Sequence, residues 1–265
     1  MAKGRGTVLP LPDGIPERLD GGYKNELLRY GDVVLRLESS TLESVEWEHR
    51  LLATLPPPAV APLAGPVEWE DGRIASLLPY VPGRALDRDA PAEREQLATW
   101  LAGLHRAAWD GGQRPGASSW LDRDLVRNDW WDWAIVDKAP VLVDAYERVT
   151  AFLADPPPLA VGVVHGDVYR GNVRVHDGRL AGIVDWEEAR LDWLGSELAN
   201  AAWEMRDRDG FVAAYLAAGG PAEVEHLDDL TLLRNVADVL YSLTSKARGE
   251  AYSPEYVDFL LAALA

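Results

Sequence analysis

The segment "LAVGVVHGDVYRGNVRVHDGRLAGIVDW", residues 159–186, constrains the fold of this chain more than any other. Its first apolar run is typical of a short buried strand, and the Asp-Gly pair at residues 177–178 suits the tight turn of a β-hairpin. Because a hairpin returns the chain to the level at which it began, Asn172 and Asp185 should be neighbours. Asp167, in the loop that enters the hairpin, should lie close to both.

Polar side chains gathered at one end of a hairpin favour a hard divalent cation. Magnesium takes oxygen ligands, keeps several waters and needs only one or two protein carboxylates. With three such side chains present, one carboxylate is left for proton transfer. A metal combined with a base is what phosphoryl transfer requires, because the protein has little covalent chemistry to perform.

The chain divides into a strand-rich first part and a larger helical part. Residues 21–37 read as two short strands, and residues 40–55 as a helix that ends at a triple proline. Two further strands flank the Asp-Gly pair at residues 71–72. Prolines and a glycine in residues 79–85 mark the crossing into the larger part. There, helical patterns dominate residues 120–154 and 196–265.

Composition narrows the class of protein and its partners. The chain has 265 residues, of which 48% are apolar, enough to bury a full core. Its 26 basic and 43 acidic residues give a net charge of −17, which repels nucleic acid and anionic membranes and attracts cations. The absence of cysteine excludes disulfides and thiolate metal sites. Without a long apolar run or a signal-peptide pattern, we expect a soluble cytoplasmic protein.

The order of residues around the hairpin resembles a known family. His165-Gly166-Asp167, then Asn172 after four intervening residues, and Asp185 beyond the hairpin resemble the catalytic and metal-binding segments of the aminoglycoside phosphotransferase and choline kinase-like family. The resemblance implies that Asp167 is the catalytic base and that Asn172 and Asp185 bind Mg²⁺.

The same resemblance implies an α+β, two-lobed protein-kinase-like fold. Residues 1–81 would form a small nucleotide-binding lobe, with an antiparallel β-sheet and one main helix. Residues 82–265 would form a larger, mainly helical lobe for catalysis and acceptor binding. A helical sequence pattern resumes within about ten residues of Asp185. This leaves no room for the long activation segment of protein kinases and disfavours a polypeptide substrate.

A nucleotide site is implied in the first lobe. Arg36 stands where related kinases have lysine, and a guanidinium can pair with phosphate through two hydrogen bonds. Glu48 resembles the acid that holds this cation in place, the alternative being an ordinary solvated helix acid. Pro79 has no backbone N–H and can only accept a hydrogen bond from the adenine, so the backbone N–H of Val81 would be the donor to it. The residues implied to bind ATP, or GTP in its place, are Gly21, Gly22, Asn25, Arg36, Glu48, Leu78, Pro79 and Val81.

The acceptor site is marked by aromatic and acidic residues. In "RNDWWDWAIVD", residues 127–137, aromatic faces beside carboxylates could hold an ammonium group. The alternative is that these tryptophans fill the core. Two acids, two and three residues after Asp185, could also bind a cation or form a solvated turn. Relatives usually have an aspartate where this chain has Glu197. The candidate acceptor residues are Asp129, Trp130, Trp133, Glu187 and Glu188.

The sequence therefore predicts an ATP-dependent small-molecule kinase that transfers the γ-phosphate to a hydroxyl. The first expected acceptor is a cationic, aminoglycoside-like or related antibiotic. The alternative acceptor is a metabolite of the choline-like, amino-alcohol or sugar class. An alternative of another class is a nucleotide-binding pseudokinase scaffold, which the complete set of Asp167, Asn172 and Asp185 disfavours. Neither a nucleic-acid partner nor a membrane partner is expected.

Overall fold

A computed structural model of the chain describes residues 9–19, 25–121, 140–247 and 253–264. The first part is a five-stranded antiparallel sheet with the spatial order β1-β2-β3-β5-β4. Gly31, at a φ of +61°, turns β2 into β3 as the sequence predicts. The strands are β1 (Glu17–Arg18), β2 (Glu26–Tyr30), β3 (Val33–Glu38), β4 (Ala64–Glu68) and β5 (Ile74–Pro79).

One helix, α1 (Leu42–Leu52), lies between β3 and β4 in the chain. Thr41 caps it, because its side-chain oxygen accepts a hydrogen bond from the backbone N–H of Ser44. The helix buries Ser44, Trp47 and Leu51, which follow one another at the helical spacing of three and four residues. This face also carries Glu48, which is completely buried.

The predicted hairpin forms the centre of the second part. β8 (Val173–His176) and β9 (Arg179–Ile183) pair around the turn at residues 177–178, and β6 (Arg84–Ala85) adds to β8. The apolar run before His165 forms β7 (Val161–Val164). β7 pairs with β10 (Arg190–Trp193), a strand that the sequence did not predict.

Helices make up most of the second part. Pro91 begins the first of them, where its missing N–H costs nothing. The helices pack around a large apolar core together with β7, β8 and β9. They are α2 (Pro91–His105), α3 (Pro140–Ala154), α4 (Leu194–Trp203), α5 (Arg208–Ala217), α6 (Leu227–Ala247) and α7 (Pro254–Leu264).

This architecture confirms the predicted α+β fold, with an antiparallel sheet and one helix followed by a mainly helical part. The lobe boundary after residue 81 stays a prediction. Within the described ranges, no helix combines the length and the apolar character that crossing a membrane requires.

Candidate active site

The hairpin brings together the three polar residues of the motif. The backbone N–H of Val184 donates to the carbonyl of Asn172 at 2.9 Å, which closes the base of the hairpin and sets Asp185 beside Asn172. Nδ2 of Asn172 donates both to Oδ2 and to the backbone carbonyl of Asp167, each at 3.0 Å. The neighbourhood predicted from the hairpin is therefore present.

The two aspartates of this cluster crowd negative charge into a half-buried space. Burial raises the pKa of Asp185 to about 6, and the charges of Glu187 and Asp167 act in the same direction. Burial also raises the pKa of Asp167, while Arg234 acts in the opposite direction. Asp185 has a φ of +67°, in the left-handed region that few non-glycine residues adopt. These carboxylates would gain from a bound cation.

The donor set fits Mg²⁺. Because Nδ2 of Asn172 is committed to Asp167, the amide oxygen Oδ1 is the end left for a metal. Asp185 adds one carboxylate, and magnesium sites usually have one or two, completed by water and substrate phosphates. Among the residues that the structure covers, no three histidine or acidic side chains gather as a closed metal cage. The one carboxylate and one amide oxygen are within the number of protein ligands that magnesium needs.

Gly166 holds the candidate catalytic loop in a shape that only glycine permits. Its φ is +86°, and a Cβ at this position would lie 2.3 Å from the carbonyl oxygen of Glu188. Its N–H donates to Oε1 of Glu197 at 2.7 Å. Oε2 of Glu197 lies 3.0 Å from Nε2 of His105, whose Nδ1 lies 2.8 Å from the hydroxyl of Tyr215. Glu197, which replaces the expected aspartate, therefore links Gly166 of the candidate catalytic loop to a buried network.

A second cluster of charges lies between the sheet and α1. Nη2 of Arg36 donates to Oε1 of Glu48 at 2.6 Å and lies 2.8 Å from Oε1 of Glu38. Burial opposes the charge on Arg36, but Glu48 and Glu38 outweigh it and raise the pKa. Likewise, burial favours protonation of Glu48, but Arg36 and Arg114 outweigh it and lower the pKa. The structure thus brings together the predicted Arg36–Glu48 pair, and each partner stabilises the charged form of the other.

Arg114 and Glu38 complete this cluster, and sequence reasoning missed both. Nη2 of Arg114 donates to Glu48 at 3.1 Å, and Nη1 donates to the carbonyl of Trp186, next to Asp185, at 2.7 Å. Arg114 therefore links α1 to the segment that carries the candidate metal ligand. Glu38 could have been found, because it lies two residues beyond Arg36 on the same face of β3. No local pattern indicates Arg114.

The other predicted nucleotide residues lie along the end of β5 and near the first strand pair. Leu78 pairs with Val34 of β3, and Val81 packs against Gly182 of β9. Nδ2 of Asn25 donates to Oε2 of Glu187 at 2.6 Å and so joins the segment before β2 to the segment after Asp185. Pro79 ends β5. Gly21 and Gly22 lie outside the described residues.

The candidate acceptor residues are only partly described. Asp129, Trp130 and Trp133 lie outside the described residues. Glu188 is exposed, and its charge acts on Asp167. Glu187 is engaged by Asn25 instead of standing free for an acceptor. Sequence reasoning missed three side chains on the far side of Asp167. Arg234 of α6 lies 3.7 Å from Oδ1 of Asp167, Asp238 of α6 binds Arg234, and the hydroxyl of Tyr256 of α7 lies 3.4 Å from Asp238.

The family of this chain follows from its sequence as a whole. The profile of the phosphotransferase enzyme family matches residues 17–230. The chain belongs to the phosphotransferase enzyme family. A homoserine kinase of Xanthobacter autotrophicus (strain ATCC BAA-1158 / Py2) is 31% identical over 150 residues, which are 54% of this chain and 46% of that protein. This phosphotransferase family member spans about half the length of the curated relatives it matches.

Solved structures share the fold at low identity. A macrolide 2'-phosphotransferase from Brachybacterium faecium has a TM-score of 0.68 and 22% identity, over 96% of this chain and 93% of that one. A thermostable mutant of the aminoglycoside phosphotransferase APH(4)-Ia, in ternary complex with AMP-PNP and hygromycin B, has a TM-score of 0.67 and 15% identity, over 94% and 91%. These likenesses confirm the predicted two-lobed kinase-like fold, and the family match confirms the resemblance.

Proposed function

We propose that this member of the phosphotransferase enzyme family transfers the γ-phosphate of ATP to a hydroxyl of a small acceptor. The observation that carries the proposal is the cluster of Asp167, Asn172 and Asp185, with the carboxylate of Asp167 held by the amide of Asn172 at 3.0 Å. A base, an amide oxygen and a second carboxylate at one end of a hairpin are the set that phosphoryl transfer needs.

In the proposed reaction, Asp167 orients the acceptor hydroxyl and takes its proton. A bond forms between the acceptor oxygen and the γ-phosphorus, the bond from that phosphorus to the bridging oxygen breaks, and ADP leaves. Asn172 and Asp185 would hold Mg²⁺, which when bound neutralises phosphate charge. The fixed position of Asp167 contributes by proximity and orientation.

We propose that residues 1–81 bind the nucleotide and that residues 82–265 carry catalysis and acceptor binding. Arg36 would pair with phosphate, held by Glu48, and Leu78, Pro79 and Val81 would contact the adenine. The related aminoglycoside phosphotransferase binds AMP-PNP, which supports a nucleoside triphosphate at this site. GTP is the alternative donor. Gly21, Gly22 and Asn25 would cover the phosphates.

The proposed acceptor is a small compound that carries an amine as well as the hydroxyl. The exposed Glu188 places negative charge near Asp167. Tyr256 lies beyond it, with its hydroxyl 3.4 Å from Asp238, whose own charge is paired with Arg234. Carboxylates and aromatic rings together recognise ammonium groups. The names of the relatives fit this class, because homoserine and the aminoglycosides both carry an amine and a hydroxyl. Choline-like, amino-alcohol and sugar metabolites are the alternatives.

The test measures Mg²⁺-dependent ADP release from ATP, and GDP release from GTP, with homoserine, aminoglycosides, macrolides, choline, ethanolamine and amino sugars. We expect one acceptor class to stimulate release in the wild type and none to do so in Asp167→Asn. Asp177→Asn, at the exposed tip of the same hairpin, is the matched control and should keep full activity. Tight nucleotide binding without release in any sample would contradict the proposal and favour the scaffold.

A further inference from the structure

Arg234 of α6 reaches the catalytic loop from outside the motif. Its Nη1 donates to the carbonyl of Gly166 at 3.3 Å, and its Nη2 lies 3.7 Å from Oδ1 of Asp167. The sequence separation between Arg234 and Gly166 is 68 residues. One guanidinium therefore faces both the carboxylate of the candidate base and the backbone of the loop that carries it.

The guanidinium is itself held in place by two helices. Nε of Arg234 lies 3.0 Å from each carboxylate oxygen of Asp238, one helical turn further along α6. The hydroxyl of Tyr256, on α7, lies 3.4 Å from Oδ2 of the same carboxylate. Burial opposes the charge on Arg234, but Asp238 outweighs it and raises the pKa. The cation is thus permanent, and its orientation is set by Asp238.

Both oxygens of Asp167 are accounted for by this arrangement. Oδ2 accepts from Nδ2 of Asn172 at 3.0 Å, and Oδ1 faces Arg234. A carboxylate engaged on one oxygen can still turn about its Cβ–Cγ bond, which is a soft torsion. A cation at the other oxygen restrains that torsion and fixes the direction in which the lone pairs point. Such restraint matters because misplacing a reacting group by 1 Å can cost about 10²-fold in rate.

We propose that Arg234 is a positioning residue that orients the carboxylate of Asp167 and anchors the Gly166 carbonyl, with Asp238 holding Arg234 in turn. The proposal rests on the proposed role of Asp167 as the base. Arginine suits this task because its planar fork donates in several fixed directions at once, to Asp238, to Gly166 and toward Asp167. A lysine would supply charge at one point and lose the other contacts.

The kinetic test compares Arg234→Ala, Arg234→Lys and Arg148→Ala. Arg148 of α3 is the matched control, because it forms an exposed ion pair at 3.9 Å with Asp229 of α6, the helix that carries Arg234. With the best acceptor, we expect Arg234→Ala to lower kcat by about 10²-fold and to leave the KM for ATP unchanged. Guanidinium ion added to Arg234→Ala should restore part of kcat, and Arg234→Lys should be intermediate. Unchanged kcat in Arg234→Ala would overturn the proposal.

Crystal structures of the wild type and Arg234→Ala provide a readout that does not depend on turnover. We expect the Asp167 carboxylate to rotate away from Asn172 and the Gly166 carbonyl to shift. If Asp167 and Gly166 stay in place, the positioning role is wrong even when kcat falls, since Arg234 would then act on a substrate directly. If the wild type turns over no acceptor and Asp167 still moves, the proposed function fails and the positioning role stands.

Discussion

Nη2 of Arg114 lies 3.1 Å from Oε2 of Glu48, across a sequence separation of 66 residues. The same guanidinium donates to Oγ of Ser44 at 2.7 Å and to the carbonyl of Trp186 at 2.7 Å. Arg114 is almost fully buried, as is Glu48. The side chain of Arg114 therefore connects α1 to the segment after Asp185. Its contact on α1 includes Glu48, the partner of the candidate phosphate-binding residue Arg36.

Removing Arg114 should destabilise the protein and weaken nucleotide binding. Arg114→Met leaves Glu48 with Arg36 as its cationic partner, and it removes the donor to Oγ of Ser44 and to the carbonyl of Trp186. We therefore expect the free energy of unfolding to fall by about 3 kcal/mol. The KM for ATP should rise because Glu48 no longer holds Arg36 firmly. Urea denaturation and steady-state kinetics measure the two effects.

The control is Arg208→Met, which breaks an exposed ion pair with Asp228. Its free energy of unfolding should stay within about 0.5 kcal/mol of the wild-type value. Equal stability of both variants would contradict the prediction.

Asp185 should govern the magnesium requirement. Asp185→Asn removes the carboxylate of the candidate metal site, and we expect turnover to fall by at least about 10²-fold. The Mg²⁺ concentration for half-maximal rate should rise in the variant, and EDTA should abolish wild-type turnover until Mg²⁺ is restored. Asp177→Asn changes the charge equally at the other end of the hairpin and should behave as the wild type. If Asp185→Asn needed the same Mg²⁺ concentration for half-maximal rate as the wild type, Asp185 would not be a magnesium ligand.

Two glycines with similar backbone angles should respond very differently to alanine. Gly166 has a φ of +86° and Gly178 a φ of +72°, but only at Gly166 would a Cβ meet backbone, 2.3 Å from the Glu188 carbonyl oxygen. Gly178→Ala should cost only the left-handed strain of about 1–2 kcal/mol and keep full activity. Gly166→Ala must move the catalytic loop, so activity should be lost. Thermal unfolding and ADP release test the pair, and an active Gly166→Ala would show that the loop tolerates displacement.

Glu38 should make stability depend on pH. Burial raises its pKa to about 7, although Arg36 acts in the opposite direction. Because the folded state holds this proton more tightly than the unfolded state, the contribution of Glu38 is present at low pH and is lost as the pH rises toward about 7. Glu38→Gln lacks this titration. The melting temperature of Glu38→Gln, measured relative to that of the wild type, should therefore increase as the pH rises from about 5 to about 8. A constant difference across that range would show that Glu38 stays charged in the folded protein.

The predictable part of the site is the part that short-range geometry determines. The hairpin brings Asn172 to Asp185 through a turn of two residues, and the loop before it brings Asp167 within reach, so a local pattern suffices. Arg36 and Glu48 are separated by 12 residues and follow the order of strand and helix that the family resemblance implies. Their pairing could therefore be anticipated from the order of elements.

The unpredicted parts depend on packing between distant segments or on charges inside the core. Arg114 and Arg234 reach their partners across more than sixty residues, and no periodicity records such a contact. β10 escaped detection because two of its buried residues are charged. Arg190 and Asp192 neutralise each other through a hydrogen bond of 2.8 Å, which a pattern of buried apolar residues cannot indicate.

The pairing of β7 with β10 decides how this site can open. Val164, directly before His165, lies opposite Arg190, and Val161 lies opposite Trp193. The strand that leads into the catalytic loop and the strand that leaves the Asp185 segment therefore share one ladder of backbone hydrogen bonds. Local unfolding releases such ladders as cooperative units. In hydrogen exchange, the amides of the two strands should lose protection together, so that the candidate base and the candidate metal-binding segment unfold in one event.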